Sequence, residues 1–494
     1  MSFLKRISNA FAWNHLNKIT GYLLDFFLSI VLARGLGDYY YGIYSELFNF
    51  IFLFSLICSF GIDTAINVYL PKYSGQKGII SFYLRRTLLL IAGISLIMVI
   101  LTIFLSQPLS QLINSPEIVH LLKIAALYIV FHNFLILAQT ILICYYETQF
   151  LFIANTFLKI FFIIFAWILL KFEFGIQEII WAFIGISLIV SVGYLFKFIK
   201  YLKPRPEKTK FSAYIQFGLV AWFTKFINYL LGRYFDIFLL GYFAVSKEEI
   251  GYYNIAFSIT LALLYLFTSG FSGISIAAFS EFEKNQEYEK IKKGIIAVIK
   301  ICNFFSVPVF LYVILNAHML IKLLYSSTYQ GSSVLLQVFA SFFLITIVLG
   351  SGINSSVLYS LKKEKTVLTL RIIMGLVNVI LDFILIPEYK AMGAIVATGI
   401  STVGIIGFEH FFVRKNINIK YPVLFLIKVL VAASPALLIS IFIPTKNLIW
   451  LVINFAAFGL IYLGFNLLTH PLSREDKERI GSVNPKLARL VSYF

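Results

Sequence analysis

The sequence is poor in charge. Only 13% of its 494 residues are Asp, Glu, Lys or Arg, about half the share found in soluble domains. So little charge cannot clothe the surfaces of several soluble domains, which excludes a water-soluble multidomain protein. Cysteine is scarcer still. Cys58, Cys144 and Cys302 stand singly in apolar stretches, without a CxxC pair or a histidine at ligand spacing. That excludes a disulfide scaffold and a Cys/His metal site. Nucleotide and catalytic signatures are missing too: GxxxxGK[ST], GxSxG, HExxH and a Rossmann glycine pattern do not occur. No cofactor is expected, and any transport must draw on an ion gradient, the membrane potential, or substrate supply and removal.

What fills the chain is apolar. Hydrophobic residues make up 60%, with 52 Phe and 29 Tyr, and mean hydropathy is +0.89. A membrane-crossing helix needs roughly 20 apolar residues, and about fourteen such stretches can be marked, from 10–33 to 447–469. The expected fold is an all-α polytopic membrane protein with about fourteen transmembrane helices. Met1–Arg6 is basic, but Asn14, His15, Asn17 and Lys18 interrupt the next stretch, so a retained first helix is expected rather than a signal peptide.

The formal net charge is +18, and its distribution explains it. With the amino terminus inside, cytoplasmic segments hold 28 of the 41 Lys and Arg residues, the opposite loops 7, and the spans 6. This bias places both termini in the cytoplasm and removes the need for a nucleic-acid partner. No outer loop exceeds about fifteen residues. A catalytic loop or appended domain is therefore not expected, which weighs against an enzyme.

The chain resembles itself at a nearly constant offset. Leu24-Asp25-Phe26-Phe27-Leu28 matches Phe235-Asp236-Ile237-Phe238-Leu239, and Gly185-Ile186-Ser187 recurs as Gly399-Ile400-Ser401. The offset carries span one onto span seven. Six spans per unit is an even number, so two six-helix repeats insert with the same orientation, related by a pseudo-two-fold along the membrane normal. The expected organisation is an N-terminal lobe at 1–205, a C-terminal lobe at 206–416, two extra helices at 417–470 and a cytoplasmic tail at 471–494.

An ionisable residue at the bilayer centre costs about 2.5–3.5 kcal/mol on insertion scales. Span one carries Asn14, Lys18, Tyr22 and Asp25 on one helical face, and span seven carries Lys225, Tyr229, Arg233 and Asp236 at the same spacings. Two such stripes facing each other would line a hydrated central cavity. A structural reading stands beside this one: Asp236 neutralises Arg233 at i,i+3, and Lys18 snorkels to the interface. Lys159, about nine residues into span five, is open to either reading. Asp63 and Asn67 near one end of span two, and Asp382 in span eleven, read as structural.

Several segments are similar to a known family. They are Leu36-Gly37-Asp38-Tyr39-Tyr40-Tyr41-Gly42-Ile43-Tyr44-Ser45 with Phe60-Gly61-Ile62 and Ala65-Ile66, then Ile250-Gly251-Tyr252-Tyr253-Asn254-Ile255-Ala256. Leu385-Ile386-Pro387, Gly393-Ala394 and Ala397-Thr398-Gly399-Ile400-Ser401 complete the pattern. It resembles the O-antigen-type polysaccharide flippases of the multidrug/oligosaccharidyl-lipid/polysaccharide exporter superfamily. The resemblance implies alternating-access flipping of a polyprenyl-pyrophosphate-linked oligosaccharide across the cytoplasmic (inner) membrane, with a cationic cavity for pyrophosphate and sugar. On that basis Lys18, Lys225 and Arg233 pair with pyrophosphate, and Asn14 and Tyr229 bind sugar. Asp25 and Asp236 orient the cations or bind a coupling H⁺ or Na⁺. Other polysaccharide-assembly membrane proteins are candidate partners. The sequence departs from lipid II flippases, whose amino-terminal cavity is richer in arginine, and this argues against a peptidoglycan precursor. The rivals are a multidrug or cation antiporter of the same superfamily and a membrane glycan polymerase or ligase.

Overall fold

A computed structural model describes residues 3–73, 75–207, 209–268 and 271–471. Apart from Pro471, the expected tail lies outside the described residues. The expected all-α class holds. Sixteen α-helices and one short 3₁₀ turn account for the described secondary structure, without a strand. In chain order the first nine helices are α1 (Phe3–Ser59), α2 (Ile62–Lys72), α3 (Lys77–Leu112), α4 (Ile118–Cys144), α5 (Thr148–Lys171), α6 (Ile176–Leu202), α7 (Ser212–Leu230), α8 (Arg233–Tyr242) and α9 (Lys247–Thr268). They are followed by α10 (Phe271–Lys284), α11 (Tyr288–Leu324), α12 (Gly331–Val348), α13 (Asn354–Ser360), α14 (Glu364–Ile417), α15 (Val423–Phe442) and α16 (Leu448–Thr469).

Eleven of these described helices are long and apolar enough to cross a membrane. Two of the eleven contain a sharp break. In α1 the backbone leaves the helix at Gly37 (φ 78°, ψ 169°), a conformation open to a residue without a Cβ. In α14 it does so at Lys390 (φ 51°, ψ −128°), three residues after Pro387, whose ring removes a helical hydrogen bond. Local sequence starts other helices. Glu178 accepts the Gly175 amide at 3.0 Å at the head of α6, and Asn447 accepts the Trp450 amide at 3.0 Å at the head of α16.

The outer surface is unlike that of a soluble protein. Phe104, Phe196 and Phe442 are 77%, 77% and 83% exposed, whereas Ser81, Thr87, Ser95, Asn133, Asn303 and Asn454 are buried. Apolar side chains on the outside suit hydrocarbon. Many of the polar ones inside find partners across helices, because lipid offers them no hydrogen bond. Asn133 donates to Ser95 at 3.2 Å, and Thr87 and Tyr214 share a 2.9 Å bond. The protein is a multi-pass membrane protein.

The chain packs as two compact units, residues 1–258 with 375–398, and residues 259–374 with 399–494. In the first, α1 packs along α5 and α4, α3 on α4, α4 on α6, and α7 against α2. The α2–α7 approach depends on small residues: Gly61 (φ 63°) faces Gly218, and a Cβ on Gly61 would lie 2.0 Å from the Gly218 carbonyl. In the second unit, α11 packs on α12 and α15, and α15 on α16. There Tyr462 donates to the Phe304 carbonyl at 2.7 Å and Tyr312 to Asn454 at 3.2 Å. These bonds fasten α16 to α11.

Candidate functional site

All eight candidate residues lie in the first unit, where they form three clusters. The first joins α1 and α5. Asn155 and Lys159 are one turn apart on α5 and meet Asn17, Gly21 and Asp25, which are one turn apart on α1. Asn155 donates to Asn17 at 3.2 Å. The Lys159 ammonium donates to the Gly21 carbonyl at 3.1 Å and lies 2.6 Å from an Asp25 carboxylate oxygen. Both pairs at Asn17 and Gly21 share the same sequence separation, so the two helices run parallel here. Gln139 and Tyr194 each donate to Asn155 Oδ1 at 3.0 Å and fix the register. The Asp25 side chain is still 56% exposed, against 23% for Lys159. Asn14 is half-buried and Lys18 exposed further down the same α1 face.

Arg233 meets this cluster only through a weak charge interaction with Asp25; no hydrogen bond or ion pair joins the two among the described residues. It opens α8 just after a break at Leu231–Gly232 that separates α8 from α7. Its guanidinium stacks on Tyr234, 5.0 Å from the ring centroid, and on Phe257 at 5.8 Å. Nη1 donates to Asn254 at 3.4 Å and to Ser258 at 3.3 Å. Tyr229 is buried and stacks parallel to Tyr234 at 5.9 Å, forming an aromatic wall beside the guanidinium. A cation held by aromatic faces and neutral acceptors keeps its charge largely uncompensated, which suits a phosphate-type anion.

Lys225 sits apart, paired with Asp63 across the α2–α7 contact, with side chains 33% and 14% exposed. Trp222, three residues earlier, donates to the Leu56 carbonyl at 2.9 Å and stacks on Phe60.

The third cluster surrounds Asp236. This carboxylate is fully buried in the first turn of α8 and accepts hydrogen bonds from Tyr253 and, at 2.6 Å, from Thr398. Arg233 turns instead to Asn254 and Ser258, so the two do not form the i,i+3 pair considered from sequence. Asn378 donates to Asp382 at 2.7 Å and to the Leu230 carbonyl, freed by the helix break, at 3.4 Å. Asp236 also acts on Asp382 through its charge. Asn378 and Asp382 are fully buried, and one side-chain oxygen each of Asp236, Asp382 and Asn378 has no hydrogen-bond donor. Two carboxylates, an amide and a hydroxyl beside a discontinuous helix have the chemistry to hold a proton or a small monovalent cation. No group of three or more His, Cys, Asp or Glu residues suited to a metal occurs among the described residues.

The stripes on α1 and α7–α8, equivalent in sequence, thus lie in unlike surroundings: Asp25 is open and paired with a lysine, Asp236 sealed among donors. Sequence reading passed over Asn378, Tyr253 and Asn155 and took Asp63 and Asp382 as structural. Asn378 and Asp382 carried a usable signal, a polar pair at i,i+4 inside an apolar span.

The solved structures similar to this chain share its fold. A lipid II flippase MurJ in an inward closed conformation aligns with TM-score 0.75 and 20% identity over 92% of this chain and 98% of that one. A multidrug resistance MATE family transporter of the MOP superfamily, inward-facing, aligns with TM-score 0.67 and 17% identity, covering 81% and 94%. A MOP superfamily transporter from Pyrococcus furiosus, described as having a binding pocket of reverse polarity, gives 0.59 and 14%, covering 84% and 96%. A search of curated protein sequences finds no match. The family model described as "Polysaccharide biosynthesis protein" matches residues 31–334, more than half of the sequence. The chain therefore belongs to the polysaccharide biosynthesis protein family and carries the fold of the MOP superfamily transporters.

Proposed function

We propose that this protein flips a polyprenyl-pyrophosphate-linked oligosaccharide, a repeat unit of cell-surface polysaccharide of the O-antigen type, across the cytoplasmic membrane by alternating access. In this reading the chain crosses fourteen times with both termini inside, in lobes at 1–205 and 206–416 followed by helices at 417–470. Lys159, Lys18 and Arg233 hold the pyrophosphate, with Asp25 as their movable counter-ion. Asn14 and Tyr229 face the sugar. Lys225 exchanges Asp63 for the cargo, and the Asp236 cluster takes the coupling H⁺ or Na⁺.

The observation that carries this reading is the presence of two cations, Lys159 and Arg233, of which only Lys159 is bridged to a carboxylate, that of Asp25. Cations placed deep in a chain this apolar are costly, and one carboxylate only partly offsets two of them. An anionic cargo supplies the remaining charge. A drug or cation antiporter would hold the opposite balance at its binding surface. The MurJ likeness supports lipid-linked cargo in general, while the single Lys18 in place of an arginine cluster favours a polysaccharide unit over a peptidoglycan precursor.

The test is reconstitution into liposomes with a short-chain polyprenyl-pyrophosphate saccharide, scored by its accessibility to an enzyme added outside. Protein-dependent exposure is expected, and it is lost in Lys159→Gln, in Arg233→Gln and in the paired Lys225→Ala/Asp63→Asn variant, which leaves no buried charge behind. Dye or cation efflux without saccharide exposure would overturn the proposal in favour of an antiporter.

A further inference from the structure

The two halves of α14 on either side of Lys390 enclose an apolar groove in the second unit, of about 690 Å³. Leu370 and Met374 line it from one half, and Gly404, Gly407, Phe408 and Phe411 from the other. Two glycines on one helical face hollow it out. A methyl group at position 407 would have a Leu349 carbon as its nearest neighbour, 4.0 Å away, so the space beside Gly407 is open. Phe408 and Phe411 are 48% and 59% exposed, and the groove opens toward the lipid.

Its register leads to a cationic mouth. Met374 faces Gly404, where a methyl would come within 2.4 Å of the sulfur, and Leu370 shares the groove with Phe408. In an antiparallel pair each step back along one helix is a step forward along the other. Continuing that register sets Lys363, at the N-cap of α14, opposite Lys415 in its last turn. Helical spacing agrees: Gly404, Phe408, Phe411 and Lys415 fall on one face, and Gly407, Phe411 and Arg414 on an adjoining one. Lys363, Arg414 and Lys415 are all exposed. The nearby acids do not cancel them. Glu364 is exposed, and Glu409 is buried, accepting from Ser355 at 2.7 Å with its charge turned to Arg371.

We propose that this groove is a binding site for an anionic glycerophospholipid. One acyl chain lies between the two halves of α14 and the phosphate between Lys363 and Lys415, with Arg414 alongside. Basic side chains at the mouth of an interhelical groove select anionic headgroups, and the glycine-lined cleft admits the chain. On the proposed topology this is a cytoplasmic-leaflet lipid, distinct from the cargo, and the site does not depend on what is transported.

The experiment is native mass spectrometry of the full-length protein in detergent, titrated separately with phosphatidylglycerol and phosphatidylcholine. Preferential retention of phosphatidylglycerol is expected. In Lys363→Gln/Lys415→Gln that retention should weaken roughly 30-fold, from the contribution of about one basic residue each near anionic lipid. Gly407→Phe, which fills the groove, should reduce binding of both lipids. Equal retention of the two lipids by the wild-type protein overturns the proposal, as does undiminished phosphatidylglycerol binding in the double variant. Displacement by soluble glycerol phosphate would reduce the site to a phosphate site and also defeat it. If a variant fails to fold, the wild-type preference alone decides.

Discussion

The Lys247 ammonium lies 2.8 Å from a Glu46 carboxylate oxygen, and the two side chains are only 9% and 1% exposed. The same ammonium donates to the Ile113 carbonyl at 3.4 Å, so one buried charge ties the far part of α1 and the α3–α4 turn to the head of α9. Gly42 allows the approach: a Cβ there would overlap the Lys247 carbonyl at 1.8 Å. Removing one member leaves the other charge buried without a partner, which costs about 3–5 kcal/mol. Lys247→Met should therefore lower the thermal midpoint in detergent sharply, and Glu46→Gln/Lys247→Met should recover much of the loss. If the single and double variants melt alike, the pair is not holding these elements together.

The Lys159–Asp25 pair leads to the opposite expectation. With Asp25 more than half exposed, the bridge should contribute less than about 1 kcal/mol to stability. Asp25→Asn is expected to melt like the wild type, and Lys159→Gln to lose saccharide exposure in proteoliposomes while remaining folded. The charge-swapped Asp25→Lys/Lys159→Asp variant sharpens the point. It keeps the bridge but moves the cation, so a wild-type rate in that protein would show that cation position is irrelevant.

Gly61 tests packing rather than charge. Its backbone is left-handed and its missing Cβ lets the Gly218 carbonyl approach. Gly61→Ala must both strain φ and push α7 off α2, a cost of about 1–3 kcal/mol. The displaced α7 carries Lys225 away from Asp63. A lowered midpoint is expected together with reduced saccharide exposure. An unchanged midpoint would mean that the α2–α7 contact has slack the structure does not show.

Much of this was readable in the chain, because a bilayer imposes strong local rules. Apolar runs mark helices, and intramembrane charges such as Lys159, Arg233 and Asp236 stand out against hydrocarbon. Pairing was far less legible. Asp63 reads as an interfacial acid until α7 brings Lys225 to it, and Asp382 reads as structural until the two broken helices bring it to Asp236. Lys247, counted among solvated outer-loop charges, proves to be buried. The partner of a polar side chain depends on which distant helix packs beside it, and local periodicity carries no record of that. For the same reason, stripes with identical spacing on α1 and α7–α8 hold an open ion pair in one case and a sealed carboxylate in the other.

That sealed carboxylate gives the most discriminating experiment. Asp236 and Asp382 each keep a side-chain oxygen that lacks a donor, and Asp236, beside the break that starts α8, accepts from Thr398 beyond the break in α14. A cation or proton entering there would bind the two broken helices to each other and leave them looser on departure, which couples ion occupancy to conformation. Asp236→Asn keeps the size and loses the charge, so the fold should survive, while the response to an imposed gradient should vanish. In wild-type proteoliposomes, saccharide exposure should rise several-fold on imposing the coupling gradient. Proton and sodium gradients applied separately identify the ion. A variant that still responds to the same gradient would move the coupling site away from Asp236. A wild type indifferent to both gradients would leave substrate supply and removal as the driving force and the buried acids with a structural role.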